Sequence, residues 1–535
     1  MSPCRISFSS LGEFTATGDL WTRLQKNFNR LEEQKYQPDH VFQGEKEAGN
    51  WPGDTEGRTV LALILLAQAT GRTPRYLDAM LERWPREANE LGYFGTIQPD
   101  QLISEQQLSG HGWILRALAE LERWRPGGPA RALARPIIEN LILPTAGQHA
   151  LYPLDPATRT AEGSFSGTHL GRVGNWLLST DVGCDFICLD GVVDACVAFG
   201  DARLKPVVEE MVARFLELDL IAVKAQTHAT LTACRALLRW AEITSDESLV
   251  VAVARRFELY TAQAWTEHYA NFNWFGRPEW TEPCAIVDSL MVAMELWRRT
   301  QRTLYLEQAQ HIYFNALGHA QRANGGFGCD NCPGADGEEE LFFRVYEAHW
   351  CCTMRGGEGL SRLCQYNCAI RGDTLLVPFG LPGKVQGKDW SVEIISDYPH
   401  EAKWVVSVET NAAGKIRALE IFIPGWIKNV EAVDATRHRV VIIPPDSRWV
   451  CLPLTGSKSR WTVAGALVEG VRPLINPPAK TIPRVVRFRG PLVLAGKPGA
   501  AGTEPIFQAY TSGIVEISES RRRLLIPEIP AAETD

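Results

Sequence analysis

The chain has 535 residues and a formal charge of −8, with 45% hydrophobic and 22% charged residues. It is too long for one ordinary core, and its composition is that of a folded globular protein, which excludes disordered, collagenous and coiled-coil architectures. A negative balance without a concentrated excess of Lys and Arg argues against nucleic acid and anionic membranes as partners.

The opening MSPCRISFSSLGEF lacks a basic stretch followed by an apolar one, and no later run approaches the ~18 apolar residues that span a bilayer, so a cytoplasmic location is expected. From about residue 18 to residue 369 the apolar residues recur at helical spacing, as in Val60, Leu61, Leu63, Leu65 and Leu66, and in Ile114, Leu115, Leu118 and Leu121. Short polar turns in ATGRTPRYLDAML, AFGDARLKPVV, ITSDESLVVAV and RRTQRTLYLEQA separate successive helices. The last three recur every 45 to 57 residues, a period suited to a repeated helical hairpin. An open solenoid and a closed toroid both satisfy such a repeat. The irregular inserts at 151–175 and 323–348 read as long loops around a pocket and favour the toroid.

Beyond about residue 370 the pattern changes to short β-rich runs, among them WSVEIISDY, KWVVSVET, ALEIFIPGW and RVVRFRGPLVLAG, separated by Gly, Pro, Asp and Asn. The expected architecture is therefore mainly α with β: a helical (α/α)6 barrel over residues 1–369 and a C-terminal β-sandwich over 370–535.

Thirteen Cys, an odd number without small-scaffold spacing, fit free thiols and a metal better than a disulfide framework. The adjacent pair Cys351-Cys352 precedes a predicted helix, whose N-terminus favours thiolates. Glu282-Pro283-Cys284 opens another strongly helical run. Together Glu282, Cys284, Cys351 and Cys352 complete a four-coordinate set of the kind Zn²⁺ accepts. A competing set pairs Cys329 and Cys332 with Cys351 and Cys352 as a zinc ribbon. Cys184 with Cys188, and Cys364 with Cys368, read as core residues at helical spacing. Trp274 and Trp350, close to these groups in sequence, are candidates for stacking on a sugar face. Nucleotide-binding, zincin and serine-hydrolase motifs are absent from the sequence.

The chain resembles glycoside hydrolase family 127, the β-L-arabinofuranosidase-like proteins. The resemblance is carried by Glu282-Pro283-Cys284 and Cys351-Cys352. It extends through GDLWTRLQKNFNRL at 18–31, LSGHGWILRALAEL at 108–121, THATLTACRALL at 227–238, IFIPGW at 421–426 and RGPLVLAG at 489–496. It implies an (α/α)6 catalytic barrel with β-sandwich structure, and a retaining exo-glycosidase acting on an oligosaccharide or glycoside, with Cys351 as a zinc-bound thiolate nucleophile. The family's acid/base glutamate lies shortly ahead of its Glu-x-Cys segment, a place taken here by Glu267, 15 residues before Glu282, with Glu279 the other nearby carboxylate. His111 and His228 match histidines that hydrogen-bond the sugar. Where the family has a further histidine, this chain offers only Asp181, Asp185 and Asp190. An epimerase or uronide hydrolase on the same barrel, and a carbohydrate-binding protein with a structural zinc, are the rival expectations. A homodimer is left open.

Overall fold

In the computed structural model, residues 6–43, 51–159, 166–335, 340–411, 415–435, 439–444, 446–454, 457–476, 484–495, 504–506, 523–525 and 527–530 are described. Twelve main helices run through the first two thirds of the chain: α1 (Gly18–Leu31), α2 (Asp54–Thr70), α3 (Leu77–Glu87), α4 (Glu105–Trp124), α5 (Ala130–Ile137), α6 (Asp185–Phe199), α7 (Lys205–Glu217), α8 (Thr227–Thr244), α9 (Glu247–Gln263), α10 (Pro283–Thr300), α11 (Leu304–His311) and α12 (Cys352–Tyr366). Helix α2 packs on α4, α4 on α6, α6 on α8, α8 on α10, α10 on α12, and α12 returns to α2. The other six helices pack on the outside of this ring.

The two sets differ in sequence for a physical reason. Outer helices bury one stripe, as α9 does with Leu249, Val250, Val253, Phe257 and Tyr260. Inner helices have neighbours on most sides and are buried almost throughout, as α2 is from Arg58 to Ala67. Caps fix two of the starts: Ser104 Oγ accepts from Gln107 N–H ahead of α4, and Asp246 accepts from Ser248 N–H ahead of α9. Glycine sets the closest approach within the ring. A Cβ on Gly191 of α6 would lie 2.1 Å from the Gly112 carbonyl oxygen, and one on Gly57 of α2 would lie 2.5 Å from Ile114 N, both in α4.

The remainder is sheet-rich. One five-stranded sheet runs Ile6–Phe8, Ala369–Arg371, Thr374–Val377, Ala418–Phe422, Trp449–Pro453; a seven-stranded sheet runs from Arg439–Ile442 to Phe14–Ala16. The first strands of the chain thus belong to sheets otherwise built after residue 368, with Ile6–Phe8 antiparallel to Ala369–Arg371 and Phe14–Ala16 antiparallel to Gly383–Gln386. A third sheet contains the strand Glu469–Pro473, whose Arg472 reaches back to the loop between α9 and α10. Among the described residues, no helix is long and apolar enough to cross a membrane.

Candidate active site

The N-terminal ends of α2, α8, α10 and α12 bring together Arg58, His228, Glu282 with Cys284, and Cys351 with Cys352. Helix N-termini carry unpaired N–H groups and partial positive charge, so this end of the ring favours thiolates and carboxylates. Cys351 is the residue before the first turn of α12, and Cys352 is its first residue.

The three sulfurs converge. Cys351 Sγ lies 3.3 Å from Cys352 Sγ, and Cys284 Sγ lies 3.9 Å from Cys352 Sγ. All three fall within 4.8 Å of one another. A tetrahedral ion with Zn–S bonds of about 2.3 Å would hold its sulfurs about 3.8 Å apart, so the spacing suits such an ion. Glu282, the residue before α10, stands beside Cys284, with its nearest carboxylate oxygen within 4.8 Å of Cys284 Sγ. Its Oε2 is buried without a hydrogen-bond partner, and its pKa is pushed well above the usual range by burial and by the neighbouring Cys284 and Asp181. A buried acceptor with no donor is costly, and a cation would satisfy it.

His228 stands on the other side of Cys284, within 4.8 Å of both Cys284 and Glu282 through its nearest ring nitrogen. Its Nδ1 is 2.8 Å from Asp288 Oδ2, and its ring stacks on Trp113 at a centroid distance of 5.7 Å. A carboxylate on Nδ1 fixes the ring and turns Nε2 toward Arg58, whose Nη2 lies 3.4 Å away. Arg58 fills the gap, donating from Nη1 to Cys284 Sγ at 3.4 Å and from Nε to Asp54 at 2.7 Å, above the Trp113 ring.

These neighbours divide the thiols. Hydrogen bonds from Cys284 and Cys352, with Arg58 nearby, outweigh burial and bring Cys351 down to about 6. Burial pushes Cys284 up to about 11 and Cys352 well above the usual thiol range. Cys351 is also the least buried of the three, so the ionisable thiol is the accessible one.

The other expected residues are distributed unevenly. Cys329 approaches the thiol group through Cys352 but is not among the three sulfurs within 4.8 Å of one another, while Cys332 Sγ points to the Asn271 carbonyl at 3.8 Å. Cys184, Cys188, Cys364 and Cys368 are buried core thiols. His111 has both ring nitrogens occupied by backbone, accepting from Phe94 N–H at 2.9 Å and lying 2.7 Å from the Gln107 carbonyl. Trp274 is fully buried and donates to the Thr180 carbonyl, whereas Trp350 is 42% exposed beside Cys351. Glu267 is buried and ion-paired to Arg472 at 2.8 Å, with Oε1 accepting from Ile475 N–H. Burial raises its pKa while Arg472 opposes the rise. No hydrogen bond among the described residues links Glu267 to the thiols.

Asp181 is differently placed. It accepts from Ser166 Oγ, Gly167 N–H and Gln226 Nε2, its pKa is raised by burial to about 6, and its charge is felt by Glu282. Arg58 and Asp288 are site neighbours that the sequence reading did not name, and Asp181 is one that it offered only in place of the family's further histidine. The signal for two of them was present as single charges inside apolar helical runs, Arg58 ahead of Val60–Leu66 and Asp288 within AIVDSLMVAMELW.

The fold is a closed ring of six helices with a cluster of three thiols at its helix N-termini. No family model matches the chain, and no curated protein matches it in sequence. Solved structures do match. One GH127 β-arabinofuranosidase superposes with a TM-score of 0.65 at 12% identity, over 92% of this chain and 85% of that one. A GH127 β-L-arabinofuranosidase from Geobacillus stearothermophilus T6 gives 0.63 at 14%, over 90% and 86%. A third, described as a glycoside hydrolase, gives 0.65 at 13%, over 92% and 83%. At these identities the likeness is one of fold, and in fold the chain is similar to the GH127 structures over nearly its whole length.

Proposed function

We propose that the protein is a retaining exo-glycoside hydrolase that releases a β-L-arabinofuranosyl or similarly configured sugar. The catalytic unit is the helical ring, read as an (α/α)6 barrel over 1–369, followed by a β-sandwich over 370–535. The observation that carries this reading is the meeting of Cys284, Cys351 and Cys352 beside Glu282. The spacing of the sulfurs and the unpartnered Glu282 oxygen fit a metal, so Glu282, Cys284, Cys351 and Cys352 are the residues that would hold Zn²⁺. Bound there, zinc keeps thiols ionised at neutral pH.

The chain's own residues then do the chemistry. Cys351 sulfur attacks the anomeric carbon, forming a C–S bond as the glycosidic C–O bond breaks, and a carboxylic acid gives its proton to the leaving oxygen. Water then attacks the same carbon, passes a proton to that carboxylate, and the C–S bond breaks to return the thiolate. Two inversions retain the configuration. By resemblance the acid/base is Glu267, whose pKa burial raises while Arg472 opposes the rise. Asp181 is a second reading, favoured by its electrostatic coupling to Glu282 and its pKa of about 6. Trp350 offers an exposed ring beside the nucleophile, and His228, whose Nε2 lies 3.4 Å from Arg58 Nη2, stands beside Cys284 for contact with a hydroxyl. A closed ring suits exo action on short cytoplasmic oligosaccharides.

The test is hydrolysis of an aryl β-L-arabinofuranoside, with product configuration read by NMR and the Cys351 peptide read by mass spectrometry during turnover. Retention and a glycosylated Cys351 are expected. Full turnover by Cys351→Ser refutes the thiolate mechanism. Metal binding without turnover of any aryl furanoside or pyranoside supports a structural zinc instead.

A further inference from the structure

A second cluster of metal-ligating side chains lies apart from the thiols. His268, in the loop between α9 and α10, His319, in the short helix Gly318–Ala320, and Asp330, in the loop beyond it, place their nearest ligand atoms within 4.8 Å of one another, all buried. His319 Nδ1 is 3.0 Å from Asp330 Oδ2. His268 Nε2 faces the same oxygen from 3.8 Å, beyond hydrogen-bond length, and has no hydrogen-bond partner among the described residues. Its ring is held in that direction, because Nδ1 is engaged by Thr266 Oγ1 at 3.0 Å.

We propose that His268 Nε2, His319 Nδ1 and Asp330 Oδ2 form a second metal site, for a divalent first-row ion such as zinc. Zn–N and Zn–O bonds of about 2.0–2.1 Å set the edges of a tetrahedron at about 3.3–3.4 Å. The two measured edges, 3.0 and 3.8 Å, bracket that value. Small shifts of the rings would equalise them, and a coordinated ion supplies the partner that a fully buried His268 Nε2 lacks. The other Asp330 oxygen accepts from Arg322 Nη2 at 2.8 Å, which orients the carboxylate as an outer hydrogen bond does for a metal ligand. Two imidazoles and one carboxylate are the donor set that borderline divalent ions take, and three protein ligands leave a fourth position for water.

The site would brace the thiol cluster without touching it. Asp330 clamps Thr281 through its backbone: Thr281 N–H donates to the Asp330 carbonyl at 2.8 Å, and Asp330 N–H donates to Thr281 Oγ1 at 2.9 Å. Thr281 immediately precedes Glu282. An ion joining His268, His319 and Asp330 therefore ties two loops and the short helix Gly318–Ala320 to the backbone just ahead of that glutamate. The assignment does not rest on the glycosidase reading.

The experiment compares wild type, the variant carrying Cys284→Ser, Cys351→Ser and Cys352→Ser together, and that variant with His268→Gln added. Each is stripped, reloaded with Zn²⁺ or Co²⁺, desalted and assayed for metal content, Co²⁺ absorption and helicity. The triple-serine protein is expected to keep one ion per chain with no thiolate charge-transfer band, and His268→Gln to remove it with helicity unchanged. A folded triple-serine protein without metal, or one equally loaded after His268→Gln, overturns the site. Should the triple variant fail to fold, wild type decides. Two Co²⁺ per chain, or one without a thiolate band, supports the site, and one ion with a thiolate band and nothing more overturns it. Loss of the thiolate-bound ion alone would count against the proposed function and leave this site standing.

Discussion

Replacing Asp288 by asparagine should destabilise the protein by about 3 kcal/mol, the lower end of the ~3–5 kcal/mol that follows removal of one partner from a buried ion pair. Its carboxylate accepts from Arg235 Nη1 at 2.6 Å, from Arg355 Nη2, from Thr232 Oγ1 at 2.7 Å, and pairs with His228 Nδ1 at 2.8 Å. All of these groups are buried. The lower end applies because the stranded cations keep other partners: Arg235 has Asp190 at 3.4 Å and Glu358 at 3.6 Å, and Arg355 also pairs with Glu358. Burial pushes the Asp288 pKa up, yet Arg355 and Arg235 overcome it and hold the group far below the carboxylate range. A depressed folded pKa means that the stabilisation is complete above the unfolded value of about 3.9 and is lost only as pH falls through the folded one. The deficit should therefore be equal at pH 6 and pH 8. Urea unfolding followed by circular dichroism at both pH values measures it. A loss under about 1 kcal/mol, the net worth of one ordinary hydrogen bond, would show that Asp288 does not neutralise the arginines, and the electrostatic account would fail.

Iodoacetamide on metal-stripped protein should label Cys351 before Cys284 or Cys352, with a rate that rises with pH through a midpoint near 6; a midpoint at an ordinary thiol value of about 8.5 would contradict the role given to Arg58 and the neighbouring thiols. Glu267→Gln and Asp181→Asn separate the two acid/base readings, since the true acid should cost about 10²–10⁴-fold in kcat on a glycoside with a poor leaving group and much less on one with a good leaving group. Equal small losses from both would remove both residues from the mechanism. Gly191→Ala should cost about 1–3 kcal/mol by forcing α4 and α6 apart, read as a lowered urea midpoint, because its Cβ would meet the Gly112 carbonyl oxygen at 2.1 Å. An unchanged midpoint would mean that the two helices separate without cost.

Much of the site was legible because its chemistry is concentrated in short runs. Glu282-Pro283-Cys284 and Cys351-Cys352 announce candidate ligands locally, and the structure brings their sulfurs together. The ring's helices were legible from apolar spacing, since outer helices must hide one stripe and inner ones nearly all faces. Residues whose role depends on distant partners were not. His111 and His228 each stand in a helix of the same character, yet Phe94 N–H and the Gln107 carbonyl occupy one while Asp288 aims the other at the thiols. Trp274 and Trp350 both lie within ten residues of the site in sequence, and only packing makes one a core ring and the other a surface one. Glu267 met Arg472 from a strand more than 200 residues away, a partnership that no local pattern announces. The strands Ile6–Phe8 and Phe14–Ala16 are too short to show alternation, and their partners lie beyond residue 368.

Those two strands also constrain how the protein can be made. A ribosome releases them first and then synthesises more than 350 residues before Ala369–Arg371 and Gly383–Gln386 emerge. Throughout that interval their backbone edges are open to other pairings, and this is the period in which nascent chains are vulnerable to aggregation. Closing a loop of this length is slow, so the sheets are expected to finish late and to register the arrival of the C-terminal half. A chain terminated near residue 368 would leave Ile6–Phe8 and Phe14–Ala16 unpaired, so synthesis must pass Gln386 before both strands find their partners.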